Sequence, residues 1–183
     1  MGRKSFDMKK VCFYANVDLA KIKQVEFYRT DLSILRDLGF DVVIATSLWE
    51  VLKSRNCDLF YVWWWNRAIF VKMIAYIFGD SRVVVCGVID YFFPYKSSSA
   101  FIFRPLWQKI LIRLSLKFCD ENIFICNYEY NISRSFFSIR SPRMVYLAID
   151  ETYASKQPYA ETFTALNIAW SSKESVKRKG LVE

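Results

Sequence analysis

Short apolar runs alternate with amphipathic stretches along most of this chain, and this alternation constrains the fold more than any other sequence feature. The apolar runs predict six strands, at residues 10–16, 41–46, 59–64, 83–88, 122–126 and 144–147. The stretches between them predict helices at 24–38, 48–55, 66–78, 103–118 and 128–137. This order is typical of repeated βα units around a parallel sheet. We therefore predict an α/β fold, a Rossmann-like open parallel sheet with helices on both faces. Ligands of such a sheet bind beyond the carboxyl ends of its strands.

The pattern changes around Asp150, and this change sets the predicted domain boundaries. Residues 8–152 form the predicted Rossmann-like domain, and residues 153–165, which contain Pro158 and show no clear period, form a linker. Residues 166–170 resemble a new strand, so we expect residues 166–183 to be the truncated start of a second domain.

Composition excludes several classes of function. There is no histidine, which rules out imidazole catalysis, and the five cysteines show no Cys-x-x-Cys spacing, which argues against structural zinc and disulfides. No apolar stretch is long enough to span a bilayer and no signal peptide is evident, so we expect a cytoplasmic chain. The net charge of +8 favours anionic partners. Nucleic acid is not an expected partner, because the cations match no recognition motif.

A basic segment at residues 177–180 follows the last predicted strand. Together with helix 24–38 and its stop at Gly39, the strand at 122–127 and the strand that ends at Asp150, this segment resembles the retaining glycosyltransferases of family 4. Those enzymes have the GT-B architecture of two facing Rossmann-like domains. The resemblance covers nearly the whole chain and makes residues 8–152 the acceptor-side domain.

The same resemblance implies the chemistry. Arg178 and Lys179 correspond to the cations that hold the diphosphate of a nucleotide-sugar donor, where fixed charges stabilise the leaving group. Without the resemblance, a solvated basic tail is the better explanation of these cations. The nucleotide sugar is a co-substrate, and neither a cofactor nor a metal is implied. The family's paired donor-binding glutamates lie deep in the second domain, so we expect this chain alone to be an incomplete catalyst.

Asp90 is the candidate catalytic acid of the first domain. It follows the strand at 83–88, at the sheet edge where ligands bind. There it could orient or deprotonate an acceptor hydroxyl. A plain turn aspartate is the competing interpretation.

The segment 103–118 carries a basic stripe of Lys109, Arg113 and Lys117 and a separate apolar face that includes Trp107. This composition is typical of a helix that lies on an anionic membrane. The alternative is an ordinary core-packed helix with a solvated basic side, whose apolar face is formed by Leu106, Trp107, Ile110, Leu111 and Leu114. Related glycosyltransferases that use lipid-linked acceptors dock through basic and aromatic surface on this domain, which favours the membrane.

Three consecutive tryptophans, Trp63, Trp64 and Trp65, end the third predicted strand. Strand alternation puts Trp63 and Trp65 on one face of the sheet, and burial under helices explains most of the run. Trp65 is the one expected to reach the substrate edge.

These features give two hypotheses. The first is a retaining, nucleotide-sugar-dependent glycosyltransferase that acts in surface glycan or glycolipid synthesis, peripheral to the inner face of the cell membrane, with a glycan or lipid-linked acceptor. The alternative is a non-catalytic membrane-associated subunit that needs a separate donor-domain partner.

Overall fold

Strands form at five of the six predicted positions, whereas the sixth, predicted at 144–147, lies at Pro142–Met144 and shares only Met144 with the prediction. The six strands pair into one open sheet. In a computed structural model of the chain, residues 9–79, 81–89 and 100–147 are described. The strands are β1 (Lys10–Ala15), β2 (Asp41–Ala45), β3 (Leu59–Trp63), β4 (Arg82–Gly87), β5 (Glu121–Phe124) and β6 (Pro142–Met144). Every neighbouring pair is parallel, in the order β2-β1-β3-β4-β5-β6. The predicted Rossmann-like α/β fold is confirmed.

Six α-helices connect the strands within the described residues. They are α1 (Leu19–Gln24), α2 (Glu26–Asp37), α3 (Leu48–Lys53), α4 (Trp65–Phe78), α5 (Leu106–Phe118) and α6 (Asn127–Phe136). The helix predicted at 24–38 corresponds to α2 and stops at Gly39, whose φ of +82° is a conformation that glycine adopts without steric cost. The separate helix α1 was not predicted, and the extended backbone of Val25 divides it from α2.

The fourth predicted helix, at 103–118, starts three residues later than expected. Pro105 restricts the residue before it to extended conformations, and Arg104 has φ −67° and ψ 148°. Residues Phe101–Phe103 therefore form a separate 3-10 turn, and α5 begins at Leu106. Pro105 is tolerated there because the amide groups of the first helical turn have no intrahelical acceptor.

Side chains of β1 alternate between two apolar clusters, one on each face of the sheet. Val11, Phe13 and Ala15 pack with residues of α1 and α2. Cys12 and Tyr14 belong to the other cluster, which includes residues of α3, α4 and α5. Such alternation is what a strand buried on both faces requires. The sheet thus has α1 and α2 on one face and α3, α4 and α5 on the other.

Some of the predicted features lie outside the described residues. They are Asp90, the linker at 153–165 and the start of the second domain with Arg178 and Lys179. Across residues 9–79, 81–89 and 100–147, no helix is both long and apolar enough to cross a membrane.

Candidate functional site

The junction between β3 and α4 forms one wall of the candidate site. β3 ends at Trp63 because Trp64 has a φ of +81°, which is rare for a residue with a bulky side chain. The amide of Trp64 donates to the Cys86 carbonyl at 2.9 Å, and its indole Nε1 donates to the Tyr28 hydroxyl at 3.0 Å. This turn places Trp63 and Trp65 in opposite clusters, so the expectation that they share a face was wrong.

Trp65 is the first residue of α4 and is buried. Its indole Nε1 donates to Asn122 Oδ1 at 2.7 Å, and its ring stacks on Phe124 with the centroids 5.1 Å apart. Asn122 is buried as well, and its amide nitrogen donates to the carbonyls of Leu116 and Arg140. Burial of Trp63 and Trp65 confirms that the tryptophan run is mainly core, while Trp64 is only half-buried.

Gly87 at the end of β4 allows the two indoles to pack against the sheet. A Cβ at this position would lie 3.2 Å from Trp65 Cζ3 and 3.3 Å from Trp64 Cε3. Any larger residue would therefore push the rings outward.

A cavity of about 310 Å³ opens beside these rings, at the carboxyl ends of β3 and β4. The start of α4, the residues after β4, the segment before α5 and α5 itself contribute to its lining. The lining residues are Trp64, Trp65, Asn66, Val88, Ile89, Arg104 and Ile112. Open parallel sheets bind ligands at this edge. The volume is at the lower end for a ligand pocket and suits a group the size of one sugar ring.

Two carboxylates and one thiol near this edge are held in structural roles or stay unreactive. Glu50 caps α3 by accepting from the amide and hydroxyl of Thr46, which lowers its pKa. Glu129 accepts a 3.1 Å hydrogen bond from the amide of Ile89, so it fixes one wall of the cavity. Burial raises the pKa of the Cys86 thiol to about 12, so this group stays protonated and is a poor nucleophile.

The outer side of α5 holds the remaining predicted contact residues. The helix buries Ile112, Ser115 and Leu116, not the apolar face singled out by its sequence. Leu106 is 70% exposed and Trp107 is 60% exposed. The alternative of a core-packed helix with a solvated basic side is therefore confirmed in part, because α5 packs into the core and exposes Arg113 and Lys117. The buried side is formed by Ile112 and Leu116, however, so the expectation that the face with Leu106 and Trp107 packs inward was wrong.

The three predicted cations of α5 have different environments. The ammonium of Lys109 turns back to donate to the Ile102 carbonyl at 2.7 Å. Arg113 lies over the Phe101 ring and Lys117 lies near the Phe118 ring, and both side chains are exposed. Arg113 and Lys117 are thus the cations of this stripe that are best placed to meet an anionic partner.

The predicted contact set is divided between two places. Trp65 lines the cavity, whereas Trp107, Lys109, Arg113 and Lys117 lie along α5. Sequence analysis missed Trp64, Asn66, Arg104 and Glu129. For Glu129 a signal existed, because an acidic residue in the first turn of a predicted helix at the carboxyl edge points toward that edge.

In comparisons with known proteins, no protein-family model and no curated protein matches this chain.

Proposed function

We propose that this domain binds the acceptor for a retaining, nucleotide-sugar-dependent glycosyltransferase that makes a surface glycan or glycolipid at the inner face of the cell membrane. The observation that carries the proposal is the cavity at the carboxyl ends of β3 and β4. The motif resemblance of the sequence supports it, because in that family this edge of the first domain receives the acceptor.

The cavity has groups suited to a sugar. The half-buried indole of Trp64 offers an aromatic face for the apolar side of a pyranose ring. Asn66 brings an amide that can both donate to and accept from hydroxyl groups. Arg104 adds a guanidinium group to the cavity lining. In the proposed reaction Asp90 orients the acceptor hydroxyl, and Arg178 and Lys179 bind the donor diphosphate.

The test has a binding arm and a transfer arm. Intrinsic tryptophan fluorescence of the chain is titrated with mono- and disaccharide acceptors, for the wild type, for Asn66→Ala and for the matched control Asn56→Ala, which changes an exposed asparagine after α3. We expect Asn66→Ala to weaken binding about fivefold, the value of one hydrogen bond, and Asn56→Ala to leave it unchanged. Equal affinity in all three proteins contradicts the cavity as acceptor site.

The transfer arm incubates native protein from the source cells with radiolabelled nucleotide sugars and a lipid extract of the same cells. Label that enters the lipid fraction with retained anomeric configuration supports the enzyme. Acceptor binding by the chain, with transfer only after a second polypeptide is added, supports the non-catalytic subunit instead. The exposed surface of α5 is compatible with both.

A further inference from the structure

Helices α4 and α5 leave large apolar side chains on their outer sides. On α4, Phe70, Met73 and Ile77 follow a helical spacing that puts them on one stripe, and Ile77 is 65% exposed. On α5, Leu106, Trp107, Ile110 and Leu114 form a second exposed stripe. A surface helix ordinarily has a polar outer side, and contiguous exposed apolar surface marks an interaction site. We call these seven residues the α4–α5 surface.

The helix α2 on the other face of the sheet does not expose a comparable apolar stripe. The outer side of α2 mixes charged and polar residues with single apolar ones such as Ile34. Exposed apolar residues scattered singly are normal, but two adjacent helices that both expose apolar stripes are not.

Charge on the two helices has one sign. The sequences of α4 and α5 contain no acidic residue. Lys72 of α4 is paired with Asp120 at 2.7 Å, which leaves Arg113 and Lys117 beside the apolar stripe of α5. An apolar stripe flanked by cations complements an anionic bilayer, in which lipid phosphates lie next to the acyl chains.

The two helices are fixed relative to each other. The hydroxyl of Ser115 on α5 donates to the Trp65 carbonyl at 2.7 Å and accepts from the Ile69 amide at 2.9 Å, so it lies within the first turns of α4. Because this contact is buried, the α4–α5 surface is formed before any partner arrives.

We propose that the α4–α5 surface docks this domain on an anionic membrane, with its apolar side chains at the boundary between headgroups and acyl chains and with Arg113 and Lys117 on lipid phosphates. This docking rests on the part of the proposed function that places the protein at a membrane, and it specifies the surface that makes the contact. It does not require glycosyl transfer. Trp107 has the amphipathic ring that favours this depth in a bilayer.

The experiment measures flotation of the 183-residue chain with vesicles of phosphatidylcholine, with and without phosphatidylglycerol. We expect binding to the anionic vesicles and little binding to the neutral ones. Leu106→Ser with Ile110→Ser should lower the partition coefficient about 100-fold, because two apolar side chains no longer insert. Arg113→Gln with Lys117→Gln should lower it about 30-fold.

Matched controls come from the opposite face of the sheet. Ile34 and Leu38 have nearly the same exposure as Ile110 and Leu106, at 42% and 67% against 46% and 70%. The double variant Ile34→Ser with Leu38→Ser should bind anionic vesicles as the wild type does. Lys23→Gln with Arg36→Gln is the charge-matched control for the cation pair. All four side chains of the controls are exposed, so the variants should fold.

The outcomes separate the two proposals. No binding to any vesicle, or an equal loss in surface and control variants, overturns membrane docking. Binding that survives Leu106→Ser with Ile110→Ser also overturns it, as does self-association or capture of an acidic protein through this surface without vesicle binding. Vesicle binding with no sugar transfer by the native protein supports docking and contradicts only the transferase.

Discussion

Asp120 ties α4 to the sheet, and replacing it with asparagine tests how much this tie contributes to stability. Asp120 Oδ2 accepts from Lys72 Nζ at 2.7 Å and from the Val83 amide at 2.9 Å, and Arg140 lies 3.6 Å from Oδ1. The side chains of Asp120 and Lys72 are only 14% and 17% exposed, so water screens this pair weakly.

The expected loss follows from these contacts. Both short hydrogen bonds end on Oδ2, so an asparagine oxygen in its place can still accept them, but without the negative charge that strengthens them. We therefore expect Asp120→Asn to lower the free energy of unfolding by about 2–3 kcal/mol at neutral pH, the value of one hydrogen bond to a charged group. Arg140 adds little, because its side chain is 55% exposed.

The pH dependence gives a second readout. Burial raises the pKa of Asp120, but the Lys72 and Val83 hydrogen bonds and the nearby Arg140 outweigh it, and the net pKa is lowered from 3.8. A carboxyl with a lowered folded pKa contributes stability that is complete above the unfolded pKa and is lost as the pH falls through the folded pKa. The difference between wild type and Asp120→Asn should therefore be constant near neutrality and shrink below about pH 4.

Urea unfolding followed by circular dichroism, between about pH 7 and pH 3, measures both quantities. Asp18→Asn is the control, because Asp18 is exposed and its side chain caps no helix. It should change stability by less than about 0.5 kcal/mol. A similarly small change for Asp120→Asn at neutral pH, or a gap that persists unchanged in acid, would refute the reasoning.

Three further predictions use the same unfolding measurements. Asp31 accepts hydrogen bonds from the Tyr61 hydroxyl and the Trp63 indole, yet burial raises its pKa above 3.8. The stability of Asp31→Asn relative to wild type should therefore increase as the pH rises through the raised pKa. An opposite trend would contradict this prediction. Ser115→Ala should cost about 1–2 kcal/mol, and Ser115→Val should cost more because its methyl groups push α4 and α5 apart; equal costs would argue against the inserted hydroxyl. Gly87→Ala should cost about 1–3 kcal/mol and shift tryptophan emission, since its Cβ meets the Trp64 and Trp65 rings, and unchanged emission would place the rings elsewhere.

The strands were predictable because buried parallel strands read as continuous apolar runs, which few other structures produce. Helix α1 was not predictable in the same way. Its six residues hold one buried side chain, Ile22, so no period of 3.6 can be read from them. The late start of α5 could be predicted from Pro105, because a proline disfavours a helical conformation at the residue before it, here Arg104.

The orientation of α5 could not be read from its sequence. Ile112 and Leu116 make one apolar stripe, and Leu106, Ile110 and Leu114 make another. Both have helical spacing, and the cations lie near the boundary of the two. Only the contacts with α4 decide which stripe is buried, and those depend on the small Ser115 at the crossing.

The cavity could be predicted from the sequence even less than the orientation of α5, because it depends on contacts between residues distant in sequence. If the strand continued through the three tryptophans, their side chains would alternate between the two faces of the sheet. The positive φ of Trp64 ends the strand instead. That conformation is held by contacts with Tyr28 and Cys86, which are distant in sequence from Trp64. No local pattern encodes those contacts.

Helix α5 connects the two proposed sites. Ile112 on its inner side lines the cavity, while Ile110 and Leu114 on its outer side belong to the α4–α5 surface. The thickness of one helix, about 10 Å, therefore separates the cavity from the proposed membrane contact. A sugar attached to a lipid headgroup needs to rise only that far to reach Trp64. If the domain docks as proposed, lipid-linked acceptors should gain from vesicle binding and water-soluble analogues should not, so Leu106→Ser with Ile110→Ser should impair the use of the lipid-linked form alone.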